Sequence, residues 1–196
     1  FRRVHFRSVL AGRFTALCLA NNHSGDYGRA AFLETIAGLD DAGIASFGGG
    51  PNLAQAHRPL WIERRGLRLA VLAYNEFKPR SFEAGADWPG IAWSEDSQVV
   101  SDIRAARRAG ADLVIPFMHW GWEGEPQPSA RQRQLAHLMI DSGADLVVGG
   151  HPHVTQGVEY YQGRLIVYSL GNFVFDGFDH PAAKSGWLLR LTLDRQ

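Results

Sequence analysis

A short segment that occurs twice constrains what this chain can fold into. Ala109-Gly110-Ala111-Asp112-Leu113-Val114 and Ser142-Gly143-Ala144-Asp145-Leu146-Val147 share the pattern small-Gly-Ala-Asp-Leu-Val, and Ala11-Gly12-Arg13-Phe14 is a looser third copy. In each full copy the glycine follows apolar residues at helical spacing and precedes an apolar run of strand length. Such a glycine suits the left-handed residue that ends a helix. A helix that feeds a strand, repeated, predicts an α/β fold with mainly parallel strands.

The remaining elements follow from local chemistry. Residues 14–20 (FTALCLA) read as a strand. Residues 29–41 read as a helix, with Ala31, Phe32, Thr35, Ile36 and Leu39 on one face and Gly43 as its stop. Residues 67–74 (LRLAVLAY) read as a strand. Ser94-Glu95-Asp96 predicts a helix entry with a hydroxyl cap. Val99, Val100, Ile103 and Ala106 line that helix, and Gly110 closes it. The strand over 113–118 contains Pro116, which predicts an edge or a bulge. Ser129-Ala130-Arg131-Gln132 fits a capping box for a helix carrying Leu135, Leu138, Met139 and Ile140. Further strands are expected over 146–148, 165–169 and 187–193.

At 196 residues the chain is expected to form a single domain over 1–196. Twenty basic and twenty acidic residues cancel, so the total charge predicts no nucleic-acid partner. The lone Cys18 lies in an apolar run and reads as a small buried hydrophobe. No apolar run approaches the roughly 18 residues that span a bilayer. The basic start, residues 1–7, is followed by no apolar signal core, and the chain does not begin with Met. It is therefore expected to be a trimmed or partial chain.

Three histidine-bearing stops carry the chemistry: Asn21-Asn22-His23, His119-Trp120-Gly121 and Gly149-Gly150-His151-Pro152-His153. Each closes an apolar run, so they are expected at the same end of neighbouring parallel strands, where α/β sheets place ligands. Imidazoles and an amide oxygen at one rim suggest a metal. His151 and His153 alternate about Pro152, which favours an extended backbone and both rings on one side. Taken singly, each stop reads equally well as a polar turn; together they favour ligation. Gly48-Gly49-Gly50-Pro51 lacks a phosphate-loop pattern and reads as a turn. Trp61, Trp88, Trp93, Trp120 and Trp122 read as packing or as a polymer groove, and Arg104, Arg107 and Arg108 as a solvated helix face. His5, His57, His137 and His180 have no motif around them.

Taken together, Leu19-Ala20-Asn21-Asn22-His23 with Asp26-Tyr27-Gly28, His119-Trp120-Gly121 with Glu123, Gly150-His151-Pro152-His153, and Tyr168-Ser169-Leu170-Gly171-Asn172-Phe173 resemble the bacterial capsule-synthesis CapA family. That family is linked to poly-γ-glutamate biosynthesis and is similar to calcineurin-like metallophosphatases. The resemblance implies a metallophosphatase-like β-sandwich flanked by helices, here without its first strand or strands. It implies metal ligation by Asn22, His119, His151 and His153, and a leaving-group acid at His23. Asp26, Glu123 and Asn172 are implied as residues behind the ligands or against substrate. Two divalent ions, Mn, Fe or Zn, are expected in a complete domain. The superfamily's first aspartate and its Asn-Leu-Glu carboxylate would fall ahead of Phe1.

The implied chemistry is a two-metal, phosphatase- or phosphodiesterase-like hydrolase acting on a phosphoester or a γ-glutamyl polymer. One alternative is a single zinc held by His119, His151 and His153 with an open water position. Another is a non-catalytic scaffold that binds and exports an anionic polymer. The resemblance also implies membrane capsule-synthesis components as partners, and a cell-envelope or extracytoplasmic location where an anchor or signal precedes the chain.

Overall fold

The structure, a computed structural model, describes residues 14–193 apart from 176 and 178. Ten strands and four helices follow in order: β1 (Ala16–Cys18), α1 (Gly28–Asp41), β2 (Ala45–Phe47), β3 (Gly49–Gly50), α2 (Leu53–Ala56), β4 (Leu60–Arg64), β5 (Leu67–Asn75), β6 (Gly90–Ile91), α3 (Asp96–Arg108), β7 (Leu113–His119), α4 (Ala130–Asp141), β8 (Leu146–Gly150), β9 (Thr155–Tyr161) and β10 (Arg164–Leu170). Most of the third Gly copy, and His5, lie outside the described residues.

Six strands form one sheet in the order β4-β5-β7-β8-β10-β9. Its four central strands pair in parallel, while β4 and β9 pair antiparallel at the two edges. The fold is thus a mixed α/β arrangement, a large sheet flanked by helices, with the parallel strands at its centre. Two further small sheets are the parallel pair β1–β2 and the antiparallel pair β3–β6. The main core lies under α3 and α4, where Val99, Ile103, Leu135 and Met139 pack on Leu72, Val114, Met118 and Val147. No helix among the described residues is long and apolar enough to cross a membrane.

The repeated Gly-Ala-Asp-Leu-Val segment has a specific mechanical role. The Asp112 N–H donates to the Arg68 carbonyl at 2.8 Å, and the Arg68 N–H donates back to Asp112 Oδ2 at 2.7 Å. Asp145 repeats the clasp one strand further on, with its N–H on the Val114 carbonyl at 2.9 Å and the Val114 N–H on its Oδ2 at 2.8 Å. Each aspartate ties the start of its own strand to the preceding neighbour and so sets the register of β5–β7–β8. Gly110 and Gly143, at φ +87° and +114°, make the helix-to-strand turns.

Four local expectations are corrected. Pro116 lies inside a central strand, opposite Leu72 of β5. Val114 turns its N–H toward β8, so residue 116 faces that way too, and the β7–β8 ladder begins only at Phe117. The missing donor therefore falls before that ladder. Ser94 does not cap α3; Glu95 holds the N-cap position without a side-chain bond, and the Ser94 hydroxyl donates to Glu76. Ser129 and Gln132 do form the capping box of α4. Residues 187–193 form no strand: beyond the Trp187 N–H on the Leu170 carbonyl at 2.7 Å, no described neighbour offers them a ladder. Finally, β1 pairs with β2 in a separate two-stranded sheet, so the first histidine stop comes from a different sheet than the other two.

Candidate metal centre

The carboxyl ends of the central parallel strands form a single row. Asn75 of β5 pairs in register with His119 of β7, and His119 pairs with Gly150 of β8. His151 follows directly. The Asn22-His23 turn beyond β1 closes over this row: His119 Nε2 and Asn22 Oδ1 are 2.7 Å apart. The rings of His119 and His151 have centroids 4.5 Å apart, and those of His151 and His153 are 5.8 Å apart. All three histidine stops therefore meet, although they arrive from two sheets.

One ligand atom from each of Glu123, His151 and His153 lies within 4.8 Å of the other two. His119 is not a member of that group, so the three-imidazole set expected for a single zinc is not the one that closes here. Glu123 is brought in by its loop: the Gly124 N–H donates to the Pro152 carbonyl at 2.8 Å. The same loop is anchored by Gln156, whose Nε2 donates to the Glu125 and Gln127 carbonyls, and Gln132 of α4 donates to Gln156 Oε1 at 2.8 Å.

The expected extended backbone at the histidine pair is overturned. His151 has φ +96° and His153 φ +60°, both in the left-handed region. Such a conformation costs about 1–3 kcal/mol for a residue with a side chain, and persists where the surroundings enforce it. Here the Gly124–Pro152 bond, the His119 ring and the Phe77 ring, 4.0 Å from that of His151, hold the turn. The two rings consequently stand edge to face instead of side by side.

Protonation favours ligation. Desolvation, and then the neighbouring imidazoles His151, His153 and His23, push the His119 pKa down to about 3. Desolvation, then His153 and His23, lower that of His151 to about 4. Both rings are neutral at physiological pH, each with a lone pair to offer. Both ring nitrogens of His151 are buried without a hydrogen-bond partner. Asn172 defines the tautomer of His153: its Nδ2 donates to the Ala183 carbonyl at 2.8 Å, so its Oδ1 accepts from His153 Nδ1, 2.7 Å away. With the proton on Nδ1, Nε2 of His153 is the nitrogen that could face a cation. His23 is exposed and turned by Asp26, whose Oδ2 is 2.9 Å from Nδ1. This donor set of imidazole, amide and carboxylate fits a divalent transition metal or zinc.

The chain matches the family described as bacterial capsule synthesis protein PGA_cap over residues 4–177. It belongs to that family. It is 38% identical to the PGA biosynthesis protein CapA of Bacillus subtilis over 164 residues, covering 83% of this chain and 43% of that protein. It is also 38% identical to the capsule biosynthesis protein CapA of Bacillus anthracis over 177 residues, covering 87% and 42%. The chain thus spans less than half of either relative. Among solved structures, the Haemophilus influenzae NAD nucleotidase NadN superimposes with a TM-score of 0.56 at 16% identity, over 84% of this chain and 28% of that one. A hypothetical protein from Thermus thermophilus gives 0.56 at 18% identity, over 87% and 59%. At these identities the likeness concerns the fold, which is metallophosphatase-like.

Two residues of this PGA_cap-family site have no sequence motif. Phe77 lies against His151 and, at 5.7 Å, against Trp122. Asn75 ends β5 as His119 ends β7, and strand-end position was the signal that could have found it. Among Trp61, Trp88, Trp93, Trp120 and Trp122, Trp93 and Trp120 are buried while Trp88 and Trp122 are exposed. His57 pairs with Asp102 at 2.8 Å and His137 with Glu159 at 2.7 Å, outside the histidine row.

Proposed function

We propose that this chain carries residues of a divalent-cation hydrolase centre serving capsule-polymer synthesis. Glu123, His151 and His153 would hold one cation, and Asn22 with His119 would face a second. The observation that carries this reading is His151: a buried imidazole with two unpartnered nitrogens, beside a carboxylate and a second imidazole at ligand spacing. A bound Mn, Fe or Zn would supply Lewis acidity toward a phosphoryl or carbonyl oxygen.

The chain's own residues account for the rest of the chemistry. His23, exposed and oriented by Asp26, would give a proton to the departing oxygen or nitrogen. Asn172 fixes the proton of His153 on Nδ1. The substrate is a phosphoester or a γ-glutamyl polymer, the latter favoured by the name of the Bacillus subtilis relative.

The test uses the full-length protein loaded with manganese, iron or zinc and assayed on aryl phosphates and on γ-glutamyl polymer. Turnover of either, reduced about 10²–10⁴-fold in His23→Ala, is the expected result. Tight metal binding with no turnover on either substrate would instead support a polymer-binding scaffold.

A further inference from the structure

Among the described residues, three buried side-chain polar atoms have no hydrogen-bond partner: Nδ1 and Nε2 of His151, and Oδ1 of Asn75. Buried polar atoms are nearly always paired, so each needs a physical account. These three belong to one place. Asn75, His119 and Gly150 form the register row, and His151 follows Gly150. Residues paired in a parallel ladder project from the same face, so Asn75 shares the face of His119. Asn75 is 1% exposed, and its Nδ2 donates to the Phe77 carbonyl at 2.9 Å. The ring of that same Phe77 lies against His151. Because the Nδ2 bond to a carbonyl fixes the amide's orientation, the atom left over is an acceptor.

The unpartnered atoms are chemically complementary. A neutral imidazole carries one N–H and one lone pair. A cation takes the lone pair, and the N–H then needs an acceptor; ligating histidines almost always place it on a carbonyl, a carboxylate or water. His153 has that acceptor in Asn172. We infer that Asn75 is a positioning residue of the cation centre, its Oδ1 accepting the ring N–H of His151, directly or across one enclosed water, when the other ring nitrogen holds a cation. Asn75 touches neither cation nor substrate; it fixes the tautomer of a residue that does. This rests on the cation reading of Glu123, His151 and His153.

The test measures zinc affinity by titration of the full-length protein, with the ring-nitrogen chemical shifts of ¹⁵N-labelled histidine in the zinc-bound state. Wild-type His151 shows one protonated and one zinc-bound nitrogen. Asn75→Leu weakens zinc binding about 10–100-fold and moves the His151 N–H signal, leaving that of His153 in place. Asn75→Asp keeps an acceptor but loses the donor to the Phe77 carbonyl; it holds zinc more tightly than Asn75→Leu and shifts the His151 N–H signal downfield. Should Asn75→Leu fail to fold, that downfield shift decides alone. Unchanged affinity and unchanged His151 signals in both variants overturn the inference. If His151→Ala and Glu123→Ala also leave zinc binding intact, the cation reading itself has failed; if they abolish it while the Asn75 variants change nothing, only the role of Asn75 has.

Discussion

At His151 two costs are borne at once. Its backbone is held at φ +96°, and both of its buried ring nitrogens lack partners. Each feature costs about 1–3 kcal/mol, against a total stability of roughly 5–15 kcal/mol for a domain. A cation bound at 100 times its dissociation constant contributes about 2.7 kcal/mol, enough to offset one of them. The protein should therefore melt at higher temperature with zinc present, and His151→Ala should abolish that rise in a thermal scan. Proton linkage gives a second prediction. Unfolded imidazoles titrate near 6.5, while the folded rings of His119 and His151 do so at about 3 and about 4. Between those values the unfolded chain binds more protons, so stability of the metal-free protein is full above pH 6.5 and falls as the pH is lowered. Urea midpoints from pH 8 to pH 5 should show this, with a shallower fall in His151→Asn.

Among the elements, the paired aspartate clasps set the register that brings Asn75, His119 and Gly150 into a row. The Asp145 side chain is nearly covered and is joined to Arg107 and, at 2.8 Å, to Arg164, in addition to its backbone clasp. Asp145→Ala removes the acceptor of the Val114 N–H and the carboxylate facing two partly exposed guanidinium groups, of which Arg107 keeps its bonds to the Gly143, Ala111 and Asp112 carbonyls. A loss of about 1–3 kcal/mol, mainly from the unpaired Val114 N–H, is expected in chemical denaturation. Next to the row, Gly149 packs against Trp120, a fully buried ring whose N–H donates to the Tyr168 carbonyl at 2.8 Å. A Cβ at residue 149 would run into that carbonyl and stand 2.9 Å from Trp120 Cε2. Gly149→Ala should therefore destabilise by about 1–3 kcal/mol through overpacking, read in the same denaturation experiment. The need for glycine at residue 149 comes from the neighbouring Trp120 ring and the Tyr168 carbonyl.

For the whole molecule, the helix–strand alternation made the parallel centre of the sheet legible, because periodicity and glycine stops are local signals. The antiparallel edges β4 and β9, and the separate small sheet holding β1, were not legible, since pairing between distant segments leaves no local mark. The same division applies to the site. His119, His151 and His153 stood out by motif. The turn that sets His151 at positive φ depends on Phe77 and on the Glu123 loop, which are remote from it in sequence. Residues 187–193 had a strand's composition and, among the described residues, no ladder to join. The central claim is that Glu123, His151 and His153 hold a divalent cation. Anomalous diffraction at the zinc edge from crystals of the zinc-loaded protein tests it most directly. A peak about 2.0–2.2 Å from a nitrogen of each histidine and an oxygen of Glu123 is predicted. No peak there at saturating zinc, or a peak only at other residues, would contradict it.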